Sequence, residues 1–172
     1  TSNADSGLGG STINATIAVG AAVASPTVNE DIDSGAIAIT QGGAETHYKI
    51  TSITGGTLYS DASYTTQITD GSFIANAGTT TNVYFSPTAN RNTTTGGNAS
   101  FVVQASGSSN DGGLPGSQIT STVTLPAVAD TPSVASPAGT EDTDTGAIAI
   151  TRAAVDGTET SHYKVTGITG GT

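Results

Sequence analysis

The chain repeats itself at an interval of about one small domain. Residues 30–40, EDIDSGAIAIT, return as residues 141–151, EDTDTGAIAIT, with nine of the eleven positions identical. Residues 47–57 match residues 162–172, so the second copy carries four extra residues between the two blocks, near Asp156. A period of this length is typical of modular arrays, in which each unit packs chiefly against its neighbours.

The two ends of the chain resemble parts of further repeats. Residues 2–17 resemble residues 109–123, which close the complete repeat. We therefore expect residues 1–22 to be the C-terminal strand region of a preceding repeat, residues 23–131 a complete repeat, and residues 132–172 the N-terminal part of a following repeat. Half a repeat cannot bury its own core, so both ends should pack on something else or be poorly ordered.

Composition narrows the class of protein. The chain has 172 residues, of which 14 are acidic and 4 are Lys or Arg, giving a net charge of −10. Such a balance argues against nucleic acid and against anionic membranes as partners. No apolar stretch approaches a membrane span, so no membrane insertion is expected. The absence of Cys excludes disulfides and thiolate metal sites.

Short runs with a period of two dominate the sequence and indicate β-strands. Ile37 and Ile39 alternate with small residues, and Phe101 and Val103 share one face of a later run. About seven such runs are separated by Gly, Asn, Asp and Pro, and no amphipathic helix is evident. The pattern predicts an all-β, immunoglobulin-like β-sandwich of about 110 residues that recurs in tandem.

Clustered carboxylates are the strongest candidate site. Glu141, Asp142 and Asp144 follow Asp130 in the linker between repeats. Like charges this close repel one another unless a cation intervenes, and Ca²⁺ takes six to eight oxygen ligands in irregular geometry. One ion held by these four residues would tie two repeats together. The alternative is an acidic strand edge that prevents sheet-to-sheet aggregation.

The first junction has the equivalent acidic residues but a different linker. Residues 20–24 are shorter than their counterpart and contain no Asp. We expect this junction to bind calcium more weakly, or through Glu30, Asp31 and Asp33 only. Instead, we expect the first junction to be held by packing of the small apolar residues Ala21, Ala22 and Val23. Two further donor pairs, Asn110 with Asp111 and Asp156 with Glu159, are secondary candidates.

Several segments together resemble a known family. These are the Glu-Asp-x-Asp motif, residues 84–90 (YFSPTAN), residues 99–103 (ASFVV) and residues 127–132 (AVADTP). They are similar to the cadherin-like repeats of giant bacterial surface proteins, which include RTX-type adhesins and related biofilm proteins. The resemblance implies secretion to the cell surface, modules made rigid by calcium, and an extender or adhesive role.

Three functions compete at this point. The first is a secreted, non-enzymatic, calcium-binding extender repeat of a bacterial surface adhesin, whose partners are neighbouring repeats and whose glycan or protein ligand would be bound by other domains. The second is a subunit of an extracellular filament, sheath or surface layer that associates with itself. The third is a carbohydrate-binding accessory module, and the near identity of the repeats favours the first two. No nucleophile–base pair or phosphate-binding loop is present in the sequence.

Overall fold

A computed structural model describes residues 20–114, 117–156 and 159–169. Those residues form an almost all-β structure with one short 3₁₀ turn, Asp111–Gly113, and none of them belongs to a helix long and apolar enough to cross a membrane. The expected strand region of a preceding repeat, apart from residues 20–22, lies outside the described residues. The strands, in chain order, are β1 (Ala22–Val23), β2 (Ile37–Thr40), β3 (His47–Thr54), β4 (Gly56–Tyr59), β5 (Gln67–Ile68), β6 (Phe73–Ala75), β7 (Thr80–Pro87), β8 (Ala99–Ser106), β9 (Gln118–Val123), β10 (Ser133–Val134) and β11 (Ile150–Thr151).

Strands β1 to β9 form two antiparallel sheets. One sheet has the order β1-β2-β7-β4-β5, and the other has the order β6-β3-β8-β9. Their inner faces share one hydrophobic core, which is consistent with a β-sandwich. Fully buried members include Ile37, Ile39, Leu58, Val83 and Phe85 of the first sheet and Tyr48, Ile50, Phe101, Val103 and Val123 of the second.

The first strand changes sheets at its end, and this move positions the candidate site. Ala22 and Val23 pair with β2 in the first sheet, after which Thr27 makes a parallel bridge to Thr124 beside the second sheet. Val28 then donates a hydrogen bond to the Thr124 carbonyl at 2.9 Å. The segment after residue 28 therefore runs alongside the chain as it leaves β9.

The second copy repeats the local structure of the first. Ser133 and Val134 pair with Thr151 and Ile150, in the same register as Ala22 and Val23 with Thr40 and Ile39, each position being shifted by 111 residues. The acidic turn recurs too, because Asp31 and Asp142 have φ values of 61° and 60°. Nearly identical sequence therefore gives the same hairpin-like pairing and the same turn.

Burial differs between the copies. Ile37, Ile39, Tyr48 and Ile50 are at most 1% exposed in the complete repeat. The equivalent side chains are 38 to 62% exposed; they are Ile148, Ile150, Tyr163 and Val165. Burial depends on facing strands, and the described part of the second copy contributes only β10 and β11.

The residues expected to pack at the first junction behave differently from one another. Ala21 is buried in the core of the complete repeat and Val23 packs against it. Ala22 is exposed, contrary to expectation, because successive residues of a strand point to opposite faces of the sheet.

Candidate functional site

The acidic turn of the complete repeat lies beside the linker that leaves this repeat. The Ile32 amide donates to the Asn29 carbonyl at 3.3 Å and closes the turn, with Asp31 in the left-handed region that Asp tolerates. The Glu30 amide approaches the Pro126 carbonyl at 3.4 Å. The Asn90 amide donates to Oδ1 of Asp31 at 2.6 Å.

This placement differs from the predicted assignment of Glu30 and Asp31 to the first junction, whose residues before position 20 lie outside the described ranges. Sequence proximity to residues 20–24 suggested that assignment. The sheet change of the first strand instead carries the turn alongside residues 124–126, at the exit of the repeat. The two carboxylates thus belong with the linker to the second copy.

Glu30 is an acidic side chain buried within this exit region. It is 6% exposed, and both carboxylate oxygens accept hydrogen bonds. The Val128 amide donates to Oε1 at 2.6 Å, and Nδ2 of Asn92 donates to Oε2 at 2.8 Å. Glu30 therefore fastens the linker backbone to the complete repeat.

Asn92 connects three parts of the chain through one fully buried amide group. Its Oδ1 accepts from the Thr94 and Thr95 amides at 2.8 and 2.9 Å, which orders the loop that follows. Its Nδ2 donates both to Glu30 and to Oε1 of Glu159 in the second copy. Buried polar groups are costly unless partnered, so these bonds favour one arrangement of the junction.

The linker makes a second contact with the following copy. The Asp130 amide donates to Oδ1 of Asp156 at 2.8 Å, and the Thr160 hydroxyl donates to Oδ2 of Asp156. Asp156 is fully buried. Residues from the complete repeat, the linker and the second copy thus meet at one place.

Negative charge accumulates where these three parts of the chain meet, and it contributes to shifts in the pKa values of the carboxyl groups. Burial raises the pKa of Asp130, and the charges of Asp156, Asp31 and Glu30 raise it further. Burial likewise raises the pKa of Glu159, although the hydrogen bond from Asn92 partly opposes this. The Thr160 hydroxyl, aided by the Asp130 amide, lowers the pKa of Asp156.

The remaining predicted ligands lie elsewhere. Asp33 is exposed; burial raises the pKa of the Tyr64 phenol, and the nearby charge of Asp33 raises it further. Glu141, Asp142 and Asp144 are exposed, and their side chains make no hydrogen bond or ion pair to another described residue. The structure therefore brings Glu30 and Asp31 to Asp130, and does not bring the second acidic turn there.

The gathered carboxylates are held in separate hydrogen-bonded contacts. Within the described ranges, no three His, Cys, Asp or Glu side chains converge as a metal-binding group. Chemically, the site offers oxygen donors and unbalanced negative charge, both of which suit a hard cation such as Ca²⁺.

Sequence reasoning missed Asn92 and gave Asp156 and Glu159 only secondary rank. The Asn92–Glu30 and Asn92–Glu159 contacts span 62 and 67 positions in the chain, so no local motif reveals them. The available signal was the four-residue insertion near Asp156, because an insertion in one copy of a repeat marks a loop with its own role.

Comparison of the chain with protein-family models, curated proteins and solved structures finds no match.

Proposed function

We propose that this chain is part of a secreted, calcium-binding extender of a large bacterial surface adhesin, built from immunoglobulin-like repeats of the cadherin-like kind. The observation that carries the proposal is the meeting of acidic residues from the complete repeat, the linker and the second copy around Asp130.

Strand order supports the finer fold assignment. Immunoglobulin-type sandwiches place strands A, B, E and D in one sheet and C, F and G in the other. The order β1-β2-β7-β4 corresponds to the first set and β3-β8-β9 to the second, with β5 and β6 as additional edge strands. The passage of the first strand from one sheet to the other at Thr27 is a further similarity to immunoglobulin-type sandwiches.

The donor set supports calcium as the ion. Its ligands would come from Glu30, Asp31, Asp130, Asp156 and Glu159, whose carboxylates would leave their separate hydrogen-bonded contacts to converge on the ion, with Asn92 orienting the two glutamates. Burial raises the pKa of Asp130 and Glu159, and repulsion from neighbouring carboxylates raises it further; bound calcium would supply positive charge that offsets this repulsion. Because these residues come from both repeats, the ion would restrict the linker, which otherwise gains entropy by moving.

A non-enzymatic role fits the surface of the complete repeat. One cleft of about 400 Å³ is lined by Ser60, Asp61, Asn82 and Tyr84, among others. The Asp61 carboxylate accepts hydrogen bonds from the amides of Ser63, Thr65 and Thr66, which lower its pKa and suit a structural loop rather than acid–base chemistry.

Thermal unfolding with and without calcium tests the proposal. An ion that binds only the folded state stabilises it by about 2.7 kcal/mol when free calcium is a hundredfold above its Kd. The melting temperature should therefore be several degrees higher in calcium than in chelator. Magnesium serves as the ion control, because its strict octahedral geometry makes it a poor substitute. Identical melts, together with no heat of calcium binding by calorimetry, would exclude the ion from this function.

A further inference from the structure

The two copies differ most in the loop that follows β2 in the complete repeat and β11 in the second copy. Between the matched Thr40 and His47 lie residues 41–46, whereas residues 152–161 lie between Thr151 and His162. The flanking blocks are almost identical, so the difference is confined to a six-residue loop in one copy and a ten-residue loop in the other.

The longer loop carries every hydrogen bond that the described part of the second copy makes to the preceding repeat or its linker. Asp156 accepts from the Asp130 amide, and Glu159 accepts from Asn92. Within the loop itself, the Glu159 amide donates to the Asp156 carbonyl at 2.7 Å, and the Thr160 hydroxyl donates to the Asp156 carboxylate. These internal bonds hold the two acidic side chains in position for the contact.

The single acidic residue of the shorter loop makes its hydrogen bonds within its own repeat. This residue, Glu45, accepts a hydrogen bond from the Gly42 amide at 2.6 Å, and its carbonyl accepts one from Asn76 of the same repeat at 2.8 Å. The shorter loop has no residue equivalent to Asp156. A six-residue loop of this composition cannot present two carboxylates to a neighbouring repeat.

The receiving surface is held in place by hydrogen bonds within the complete repeat. Asn92 is fixed by its bonds to the Thr94 and Thr95 amides and to Glu30, and one hydrogen of its Nδ2 points to the second copy. Because Asn92 is fully buried in the contact, loss of Glu159 would leave this donor in a desolvated position.

We propose that the length of this loop determines how a repeat joins the one before it. A repeat with the ten-residue loop docks through Asp156 and Glu159 onto Asn92 and the Asp130 amide of its predecessor. A repeat with the six-residue loop, such as the complete repeat here, lacks this docking element and joins its predecessor more loosely. The inference depends on the tandem-repeat function proposed above, but the docking contacts themselves need no ion.

Spin-label distance measurements on the whole chain test the docking. The chain has no Cys, so Thr120→Cys in β9 and Thr145→Cys after the second acidic turn give two unique exposed label sites. In chelator at one fixed pH, we expect the native loop to give a narrower distance distribution than a chain without it. Replacing residues 152–161 with the sequence of residues 41–46 should broaden it, and so should Glu159→Ala, which removes the acceptor for Asn92, or Asn92→Ala.

Matched variants separate docking from damage to the fold. Glu45→Ala truncates the acidic residue of the short loop, and Asn98→Ala removes an exposed amide six residues after Asn92, so both should keep the native distribution. Asn92→Ala also removes the hydrogen bonds to residues 94 and 95, whereas the loop replacement and Glu159→Ala leave every residue of the complete repeat unchanged. Amide exchange at Asp130 should accelerate in the loop replacement, since its acceptor Asp156 is removed.

The outcomes distinguish this inference from the calcium proposal. A distribution that stays narrow after loop replacement, in chelator as well as in calcium, would overturn the docking role of the loop. A distribution that is equally broad with either loop in chelator, and narrows with either loop in calcium, would also overturn it while supporting calcium. Broadening by loop replacement alone, with no effect of calcium on the native chain, would support docking and contradict the ion.

Discussion

Tyr48 is a core residue whose hydroxyl is poorly partnered. Its side chain is fully buried on β3, and among the described residues its hydroxyl has no acceptor at good hydrogen-bonding geometry, although the Glu45 carboxylate lies near enough to interact with it. Burial raises the pKa of Tyr48 from 10.0 to about 12, and the nearby charge of Glu45 contributes to the increase. A buried hydroxyl without a good partner costs free energy relative to a hydrogen atom at the same place.

We predict that Tyr48→Phe leaves the free energy of unfolding unchanged or raises it by up to about 1 kcal/mol, because the aromatic ring remains and the poorly partnered hydroxyl is removed. Tyr48→Ala should lower it by about 3–5 kcal/mol through loss of the buried ring. Urea unfolding measures both. A substantial loss for Tyr48→Phe would mean that the hydroxyl is partnered in solution.

The same variant has a pH signature. Since the folded pKa of Tyr48 lies above its ordinary value of 10.0, its favourable contribution is complete below pH 10 and is lost as the pH rises towards about 12. Tyr48→Phe should therefore lose less stability across this alkaline range than the native chain does.

Asp31 and Asp142 offer a matched pair for locating the ion. Both occupy the same turn with φ near 60°, but only Asp31 lies close enough to Asp130 for its charge to raise the pKa of Asp130. We predict that Asp31→Asn weakens calcium binding and reduces the calcium-dependent rise in melting temperature, whereas Asp142→Asn changes neither. Asn tolerates the left-handed conformation, so neither substitution should strain the turn. Titration calorimetry provides the comparison, and equal losses in the two variants would reject the placement of the ion at Asp130.

At the scale of strands, β4 depends on a glycine that allows close packing. A Cβ atom built on Gly56 would lie 2.3 Å from the Ser86 carbonyl oxygen and 2.4 Å from the Phe85 ring, both on the neighbouring strand β7. A Cβ atom built on Gly35 would have no atom within 4 Å other than those of Gly35 and its chain neighbours, and Gly35 does not have a positive φ, so it is a suitable control.

We predict that Gly56→Ala lowers the free energy of unfolding by about 1–3 kcal/mol, because the methyl group displaces β7 or the Phe85 ring. Gly35→Ala should be neutral or slightly stabilising through reduced entropy of the unfolded chain. Chemical denaturation compares the two, and a neutral Gly56→Ala would show that the β4–β7 pair separates without cost.

The strands were largely predictable from sequence, whereas the junction was only partly so. Alternation of Ile37 and Ile39 places them on the buried face, as expected from a period of two. The two-residue strand Ala22–Val23 has no alternation to reveal it. The clustering of like charges identified the acidic residues as a candidate site. Their hydrogen-bond partners could not be predicted, because these depend on the sheet change at Thr27, which is a property of the whole sandwich.

At the scale of the whole molecule, we expect the balance of charge at the junction to control how freely the second copy moves relative to the complete repeat. Because burial and neighbouring charges raise the pKa of Asp130 and Glu159 above their ordinary values, the protonated forms are favoured in the docked arrangement. That contribution is present at low pH and is lost as the pH rises through the raised pKa values. Once these groups ionise in the absence of calcium, they repel their acidic neighbours.

We therefore predict that the junction is tightest either in calcium at neutral pH or in chelator at acidic pH, and loosest in chelator at neutral pH. Protons and calcium compete for the same oxygens, so the apparent calcium affinity should fall as the pH decreases from 7 towards the ordinary range of carboxyl groups. Small-angle scattering would report the loose state as a broader distribution of interatomic distances and a changed maximum dimension. Asp130→Asn is the control: it removes one of the two raised groups, so its dimensions in chelator should depend less on pH. If the native chain keeps the same dimensions under all three conditions, hydrogen bonding and packing alone hold the repeats together, and neither ion nor proton controls the junction.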